Sequence, residues 1–513
     1  MLPDNLGYLF DAPLRLFPQR TAVLEDEREI SFAELDERSN RMANALRELG
    51  VKASDRIALM FDNDVQFFEA LFGPMRLGAV PVPLNVRMGD EALAFVLEDS
   101  ESSVLIANRR LSERAASLSR GLAGLRHRVV QGVEVPGSHD YDEILSSASP
   151  ILSRRKTDPD EICMQPYTSG STGRPKGVLL THGGQLWNSD VLRKATLADP
   201  TERALISVPL YHKNAMAGAV KPFLLAGGSL VILPGFDPRA VIEAIEKYRV
   251  TYLTGVPAMY KRILAEKDLL SQHDVSSVRY ALCGSAEVPE ELLEEFGRVF
   301  RATIAESYGL TEGGPVPLVN SRWGLKRRGS CGLAFPGCEV KLLAEDGVSE
   351  VGGNEAGELV TRNPGLAMGY WKRPEATAEK FRNGWLHTGD LMRRDEDGFY
   401  YFLGRKDDMI NVGGENVYPK EVEEILLRHP NLKDACVVPA CHEIKGAVPV
   451  AFVVERSSGS STEKEIKDFY LQHGAAYAHP RRVFVMEALP LGGTGKLDRS
   501  ALRRIAEERV KDG

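Results

Sequence analysis

The densest group of chemically directed residues in this 513-residue chain is Tyr167-Thr-Ser-Gly-Ser-Thr-Gly-Arg-Pro-Lys-Gly177. Thr168, Ser169, Ser171 and Thr172 bring hydroxyls. Gly170 and Gly173 allow a turn that gathers backbone N–H groups at one point, and Lys176 adds a positive charge. Such a turn suits an anion, above all a polyphosphate. Short apolar runs at 162–164 and 178–180 predict a strand on each side, so the loop is expected at the edge of a sheet rather than in a linker. It is not a Walker loop: counting from Gly170, the second obligatory glycine falls on Pro175.

Residues 168–177 resemble the phosphate-binding loop of the adenylate-forming superfamily, which holds acyl-CoA synthetases, the adenylation domains of peptide synthetases and firefly luciferase. Four further stretches match that superfamily in order. In Glu306-Ser-Tyr-Gly-Leu-Thr-Glu-Gly313 the resemblance implies that Tyr308 packs on adenine, that Gly309 and Thr311 belong to the nucleotide site, and that Glu312 binds Mg²⁺. One carboxylate is enough for a cation that takes its other oxygens from phosphates and water. His387-Thr-Gly-Asp390 and Gly404-Arg-Lys-Asp-Asp408 imply that Asp390 and Arg405 hold the ribose, an acceptor-only and a donor-only group on a diol. The alternative is a surface ion pair. Asp407 stands where the family places its hinge. In Pro490-Leu-Gly-Gly-Thr-Gly-Lys-Leu-Asp498, Lys496 takes the place of the catalytic lysine that reaches the carboxylate and α-phosphate. Gly284, Ser285 and Ala286 should line the adenine site, although Glu287 stands where many members have proline.

The branch of the superfamily is read from Pro209-Leu-Tyr-His-Lys-Asn-Ala-Met216. A Pro-Leu-aromatic-His run is similar to acyl- and aryl-CoA synthetases and lacks the aspartate that amino-acid-activating domains use. His212 is then expected as a gate beside the acyl carbon. Gly413 and Gly414, in Asn411-Val-Gly-Gly-Glu-Asn-Val-Tyr-Pro419, leave room for a narrow thiol arm. The resemblance therefore implies an acid–CoA ligase using ATP, Mg²⁺ and CoA as co-substrate. A stand-alone ligase loading a carrier protein is the alternative. A luciferase-like oxygenase and a nucleotide-binding protein without turnover are more distant ones. Expected acyl-pocket walls are 211–216, 256–260 and 309–316, with Gly309, Gly313 and Gly314 leaving space for a fatty chain or an aryl acid. Lys213 is expected to be solvated or near CoA phosphates, with pairing to a second substrate carboxylate as the other reading.

The elements that position these residues follow from periodicity. Ser31-Phe-Ala-Glu34 is a capping box, and Leu35, Met42, Leu46 and Leu49 then share a helical face that Gly50 ends. Strands are expected at 56–61, 79–84, 227–233 and 280–283, and a helix at 65–77. Alternating helices and strands argue for an α/β fold with largely parallel strands. From about 338 to 403, glycine-broken runs predict small antiparallel strands. In the tail, Pro419 opens a helix carrying Val422, Ile425 and Leu426, and Thr462-Glu-Lys-Glu465 caps another. The fold class implied is α/β. A large N-terminal domain, 1–404, should hold two α/β sheets and a small β-barrel-like subdomain. A small mobile α+β domain, 405–513, should follow a hinge at 405–407.

The formal charge of −8 gives no sign of a nucleic-acid binder. Lys326-Arg327-Arg328 reads as a solvated face. Six cysteines without metal-ligand spacing read as reduced thiols. No signal peptide and no membrane span is visible, so a cytoplasmic location is expected. A homodimer is compatible with the sequence.

Overall fold

The computed structural model describes residues 2–132, 135–169, 174–284, 288–314, 316–322, 324–412, 415–442, 446–490 and 497–511. The chain divides into two compact units, 1–340 with 361–387, and 341–360 with 388–513.

Two large sheets build the first unit. In the larger, the strands Thr303–Tyr308, Tyr280–Gly284, Tyr252–Gly255, Arg203–Ile206, Ser229–Ile232 and Thr21–Glu25 lie side by side and run parallel. Antiparallel strands extend both edges: Leu318–Val319 and Leu333–Ala334 on one, Arg28–Ser31 on the other. Both faces are buried, which is why these strands read as continuous apolar runs rather than alternating ones. Leu205, Val231, Leu253, Ala281, Cys283 and Ile304 face the helices Pro238–Tyr248, Pro257–Ala265 and Glu290–Phe300. Their neighbours Ile206, Leu230, Ile232, Tyr252, Tyr280 and Leu282 join the other core, as the two-residue period of a strand requires. The second sheet is wholly parallel: Val80–Pro83, Arg56–Met60, Ser102–Ala107, His127–Val130 and His139–Asp140.

The expected helices form where their caps are. Ser31 accepts from Glu34 N and opens Phe32–Glu48, and Gly50 takes a φ of 79° beyond its end. In the second unit Thr462 and Glu465 form the complete reciprocal box at Glu463–His473. There the strands Leu432–His442 and Gly446–Glu455 form a long antiparallel pair, joined by Ile410–Val412, Glu415–Val417 and Arg482–Val485. Pro419–Leu427 and Glu463–His473 cover one face through Val422, Leu426, Ile466 and Tyr470. Arg499–Lys511 covers the other through Leu502 and Ala506.

The strands at 388–404 group with the tail. Asp390 lies opposite Arg405 in the pairing of Trp385–Arg394 with Tyr400–Arg405, and Lys420 Nζ donates to the Phe402 carbonyl at 2.6 Å. Among the described residues no helix is long and apolar enough to cross a membrane.

Candidate functional site

Four adjacent parallel strands of the large sheet end at one place. Arg203–Ile206 leads to the segment 207–212, Tyr252–Gly255 to Val256, Tyr280–Gly284 to Gly284 itself, and Thr303–Tyr308 to Tyr308 and Gly309. Ligands of open parallel sheets bind outside the carboxyl ends of the strands. Sequence-predicted residues thus converge because of strand direction. Gly284 pairs across with Ser307, and a Cβ there would lie 3.1 Å from Ser307 Oγ.

The Gly/Ser/Thr-rich stretch expected to bind phosphate starts and ends as a hairpin. Tyr167–Ser169 pairs antiparallel with Pro175–Gly177, placing Lys176 opposite Thr168. It is nested on a second pair, Ile162–Met164 with Leu180–Thr181. The apolar run at 178–180 is therefore only partly a strand of that pair, because Val178 bridges to Tyr370 instead. Thr168 Oγ1 donates to Glu312 Oε1 at 3.4 Å and Tyr370 OH donates to the same oxygen at 3.0 Å. Lys176 Nζ lies 5.5 Å from the Tyr370 ring centroid. Glu312 sits in the short turn Thr311–Gly313 and so meets the hairpin from a different part of the chain. Gly170, Ser171, Thr172, Gly173, Ser285, Ala286, Gly413, Gly414 and Lys496 lie outside the described residues, as does the Ser169 side chain.

The donor set fits Mg²⁺. No cluster of three or more metal-binding side chains occurs among the described residues, and none is needed for a cation bound mainly by phosphates. Glu312 offers a carboxylate whose Oε1 takes two hydroxyl protons, while Oε2 accepts no hydrogen bond from the described residues.

The expected acyl-pocket segment 211–216 meets the strand end that leads into 256–260 and the first residue of 309–316. Asn214 Nδ2 donates to the Gly255 carbonyl at 3.3 Å, and Asn214 Oδ1 accepts from Thr254 Oγ1 at 2.7 Å. Lys213 Nζ donates to the Gly309 carbonyl. Lys213 is half-buried and gives one of its three ammonium protons to that carbonyl. His212 caps the turn Lys213–Ala215, its Nδ1 accepting from Asn214 N at 3.2 Å. In the neutral ring this leaves the proton on Nε2. The next turn, Met216–Val220, is a π-helix, a local widening frequent at functional sites. The Gly218 carbonyl accepts from Tyr252 OH at 2.7 Å.

Two glycines differ from their expected role. A Cβ on Gly313 would strike the Leu310 side chain at 2.5 Å, and one on Gly314, whose φ is 101°, would strike Asn363 Oδ1 at 2.5 Å. They permit close packing of protein on protein and do not leave substrate space.

Sequence reasoning missed Asn63 and Tyr370. Buried Asn63 donates to the Val208 and Leu233 carbonyls at 2.9 and 3.1 Å and accepts from Leu210 N at 2.8 Å. It thereby fixes the backbone just before His212. The sequence carried no signal for it beyond an asparagine just after the strand expected at 56–61, because its burial is visible only in the fold.

In the second unit, Asp390 and Arg405 form an ion pair at 2.9 Å, with the Asp390 side chain 7% and Arg405 40% exposed. Asp390 is buried, so a simple surface pair does not describe it. Thr388 Oγ1 accepts from Asp390 N at 3.0 Å and donates to the Leu359 carbonyl at 2.7 Å. Asp407 lies in the turn Lys406–Asp408 with its side chain 68% exposed.

Residues 10–371 match the family model of the AMP-binding enzyme, and 421–496 match that of the AMP-binding enzyme C-terminal domain. A feruloyl-CoA synthase of Amycolatopsis is 38% identical over 495 residues, covering 96% of each chain. A long-chain-fatty-acid–CoA ligase of Bacillus subtilis is 29% identical, covering 97% of this chain and 93% of its own. The crystal structure of the anthranilate CoA ligase AuaEII in complex with anthranoyl-AMP superposes with a TM-score of 0.92 at 28% identity, covering 99% of both chains. This chain belongs to the AMP-binding enzyme family, the adenylate-forming superfamily whose motifs it carries.

Proposed function

We propose that this chain, an AMP-forming acid–CoA ligase, takes an oxygen-substituted aryl carboxylate as its acid. The carrying observation is the polar character of the acid wall, where Lys213 and Asn214 stand side by side among backbone carbonyls. A plain fatty chain gains nothing from an ammonium group in its pocket, whereas a ring hydroxyl or methoxy oxygen accepts from it. The 38% identity to a feruloyl-CoA synthase supports the same class.

In the first half-reaction a carboxylate oxygen attacks the α-phosphorus of ATP. The new O–P bond forms as the bond to pyrophosphate breaks, giving an acyl-adenylate. In the second, the CoA thiolate attacks the acyl carbon, and AMP leaves with the bridging oxygen. The protein's task is to place anions and offset their repulsion. Thr168, Lys176 and the hairpin hold the phosphates, and Tyr308 and Gly284 hold the base. Asp390 and Arg405 hold the ribose, and His212 stands beside the acyl carbon. Glu312 would hold Mg²⁺, which when bound neutralises phosphate charge. Lys496 supplies an ammonium to the first step.

ATP–pyrophosphate exchange across hydroxycinnamates, unsubstituted cinnamate and fatty acids tests the substrate class. Hydroxylated aryl acids should give the highest kcat/KM. Lys213→Met should lower that value about 10-fold for them, as loss of one charge-assisted hydrogen bond does, and leave cinnamate nearly unchanged. A preference for long alkyl acids would refute the assignment and favour the fatty-acid reading. Substituting a carrier protein for free CoA in the second step tests the acceptor.

Asp407 is assigned as the hinge between the two half-reactions. Asp407→Pro fixes φ at an exposed turn. It should preserve pyrophosphate exchange while lowering thioester formation, measured with a supplied acyl-adenylate. An unchanged second step would remove the assignment.

A further inference from the structure

We infer that Tyr370 is a positioning residue for Glu312, holding the metal-facing carboxylate in one orientation; the inference rests on the reading of Glu312 as the Mg²⁺ ligand. The geometry is specific. Tyr370 OH donates to Glu312 Oε1 at 3.0 Å across 58 residues of sequence. The same oxygen takes the Thr168 hydroxyl at 3.4 Å. Two donors on Oε1 leave Oε2 as the oxygen without a hydrogen bond from the described residues, and so the one open to a cation. An ionised carboxylate with no such donors samples several rotamers and must be ordered on binding, which weakens the metal site.

The backbone around Tyr370 is built to hold that hydroxyl still. Ala367 N donates to the Glu312 carbonyl at 3.0 Å, and Asn363 Nδ2 donates to the Gly313 carbonyl at 3.0 Å. On its other side the same segment joins the phosphate hairpin. Met368 N donates to Leu179 O at 2.9 Å, Leu179 N to Gly369 O at 3.0 Å, and Trp371 N to Gly177 O at 2.8 Å. Tyr370 N donates to Thr377 Oγ1 at 2.9 Å. Residues 363–371 therefore form a strap between the turn carrying Glu312 and the hairpin carrying Thr168 and Lys176. The Tyr370 ring, 8% exposed, lies beside the Lys176 ammonium, and its hydroxyl bonds the carboxylate. One side chain thus meets both charged groups that serve the triphosphate.

Tyr370→Phe separates these roles, since it keeps the ring beside Lys176 and removes only the oxygen. The half-saturating Mg²⁺ concentration for pyrophosphate exchange should rise about 10-fold, the scale for losing a partner of a metal ligand. Mn²⁺ affinity in the ternary complex with a non-hydrolysable ATP analogue, read by electron paramagnetic resonance, should fall by a similar factor. Calorimetric binding of ATP without metal should be unchanged. Glu312→Gln is measured in parallel. A shift with Glu312→Gln but none with Tyr370→Phe overturns the positioning role and leaves Glu312 as the ligand. No shift with either removes the reading of Glu312 itself, and the inference with it. Equal weakening of metal-free and metal-bound ATP by Tyr370→Phe shows a merely structural role and also overturns the inference.

Discussion

Lys496→Ala should slow ATP–pyrophosphate exchange by about 10²–10³, the usual cost of removing one preorganised donor at a site of developing charge, while a supplied acyl-adenylate still reacts with CoA. The reason lies in the charge flow of the two half-reactions. In the first, an anionic carboxylate must approach an anionic α-phosphate, and an ammonium between them offsets repulsion that is greatest in the transition state. In the second, the mixed anhydride already exists and AMP is a good leaving group, so the same ammonium is not required. Two assays on one preparation decide it: exchange of labelled pyrophosphate into ATP, and thioester formation from chemically made acyl-adenylate. An equal loss in both would mean that Lys496 serves folding or nucleotide binding generally.

Lys221→Met, with Gln185→Leu, should stabilise the protein at neutral pH by up to about 3 kcal/mol. Lys221 is 1% exposed on the helix that follows the π-helical turn of the acid wall. Its ammonium donates to Gln185 Oε1, and no carboxylate pairs with it among the described residues. Burial lowers its pKa from 10.5 to about 8, a difference equivalent to about 3 kcal/mol. The sign follows from linkage: a base depressed in the folded state makes folding less favourable wherever it must be charged in the unfolded chain. The penalty is complete below about pH 8 and disappears as pH rises towards 10.5. The advantage of the double variant should therefore be largest at pH 7 and vanish near pH 10.5, as measured by urea unfolding at a series of pH values. A constant advantage would assign it to packing instead of charge. Gln185 is changed too because its Nε2 has no hydrogen-bond partner among the described residues, and the single variant would leave the whole amide unsatisfied.

The motifs were legible because each is local. The 167–177 stretch, the octapeptide ending at Gly313 and His387-Thr-Gly-Asp390 state their chemistry within a dozen residues. The helix caps at Ser31 and Thr462 involve partners three residues away, and the parallel strands announced themselves as apolar runs. Periodicity does not report which side chains meet after the chain has crossed the sheet. Gly313 and Gly314 looked like space for substrate, and only the packing of Leu310 and Asn363 against them showed otherwise. That Lys213 donates to the Gly309 carbonyl could likewise be seen only in the fold.

By itself, the sequence determined the family and the reaction class and proposed residues for the nucleotide, since motifs depend on short fixed spacings. The tertiary structure alone decided that Tyr370 meets Glu312, that Asn63 pins the segment before His212, and that Lys221 is buried with no carboxylate paired to it among the described residues. Each of these joins residues far apart in the chain. Strand order and register bring such partners together, and no local pattern encodes either.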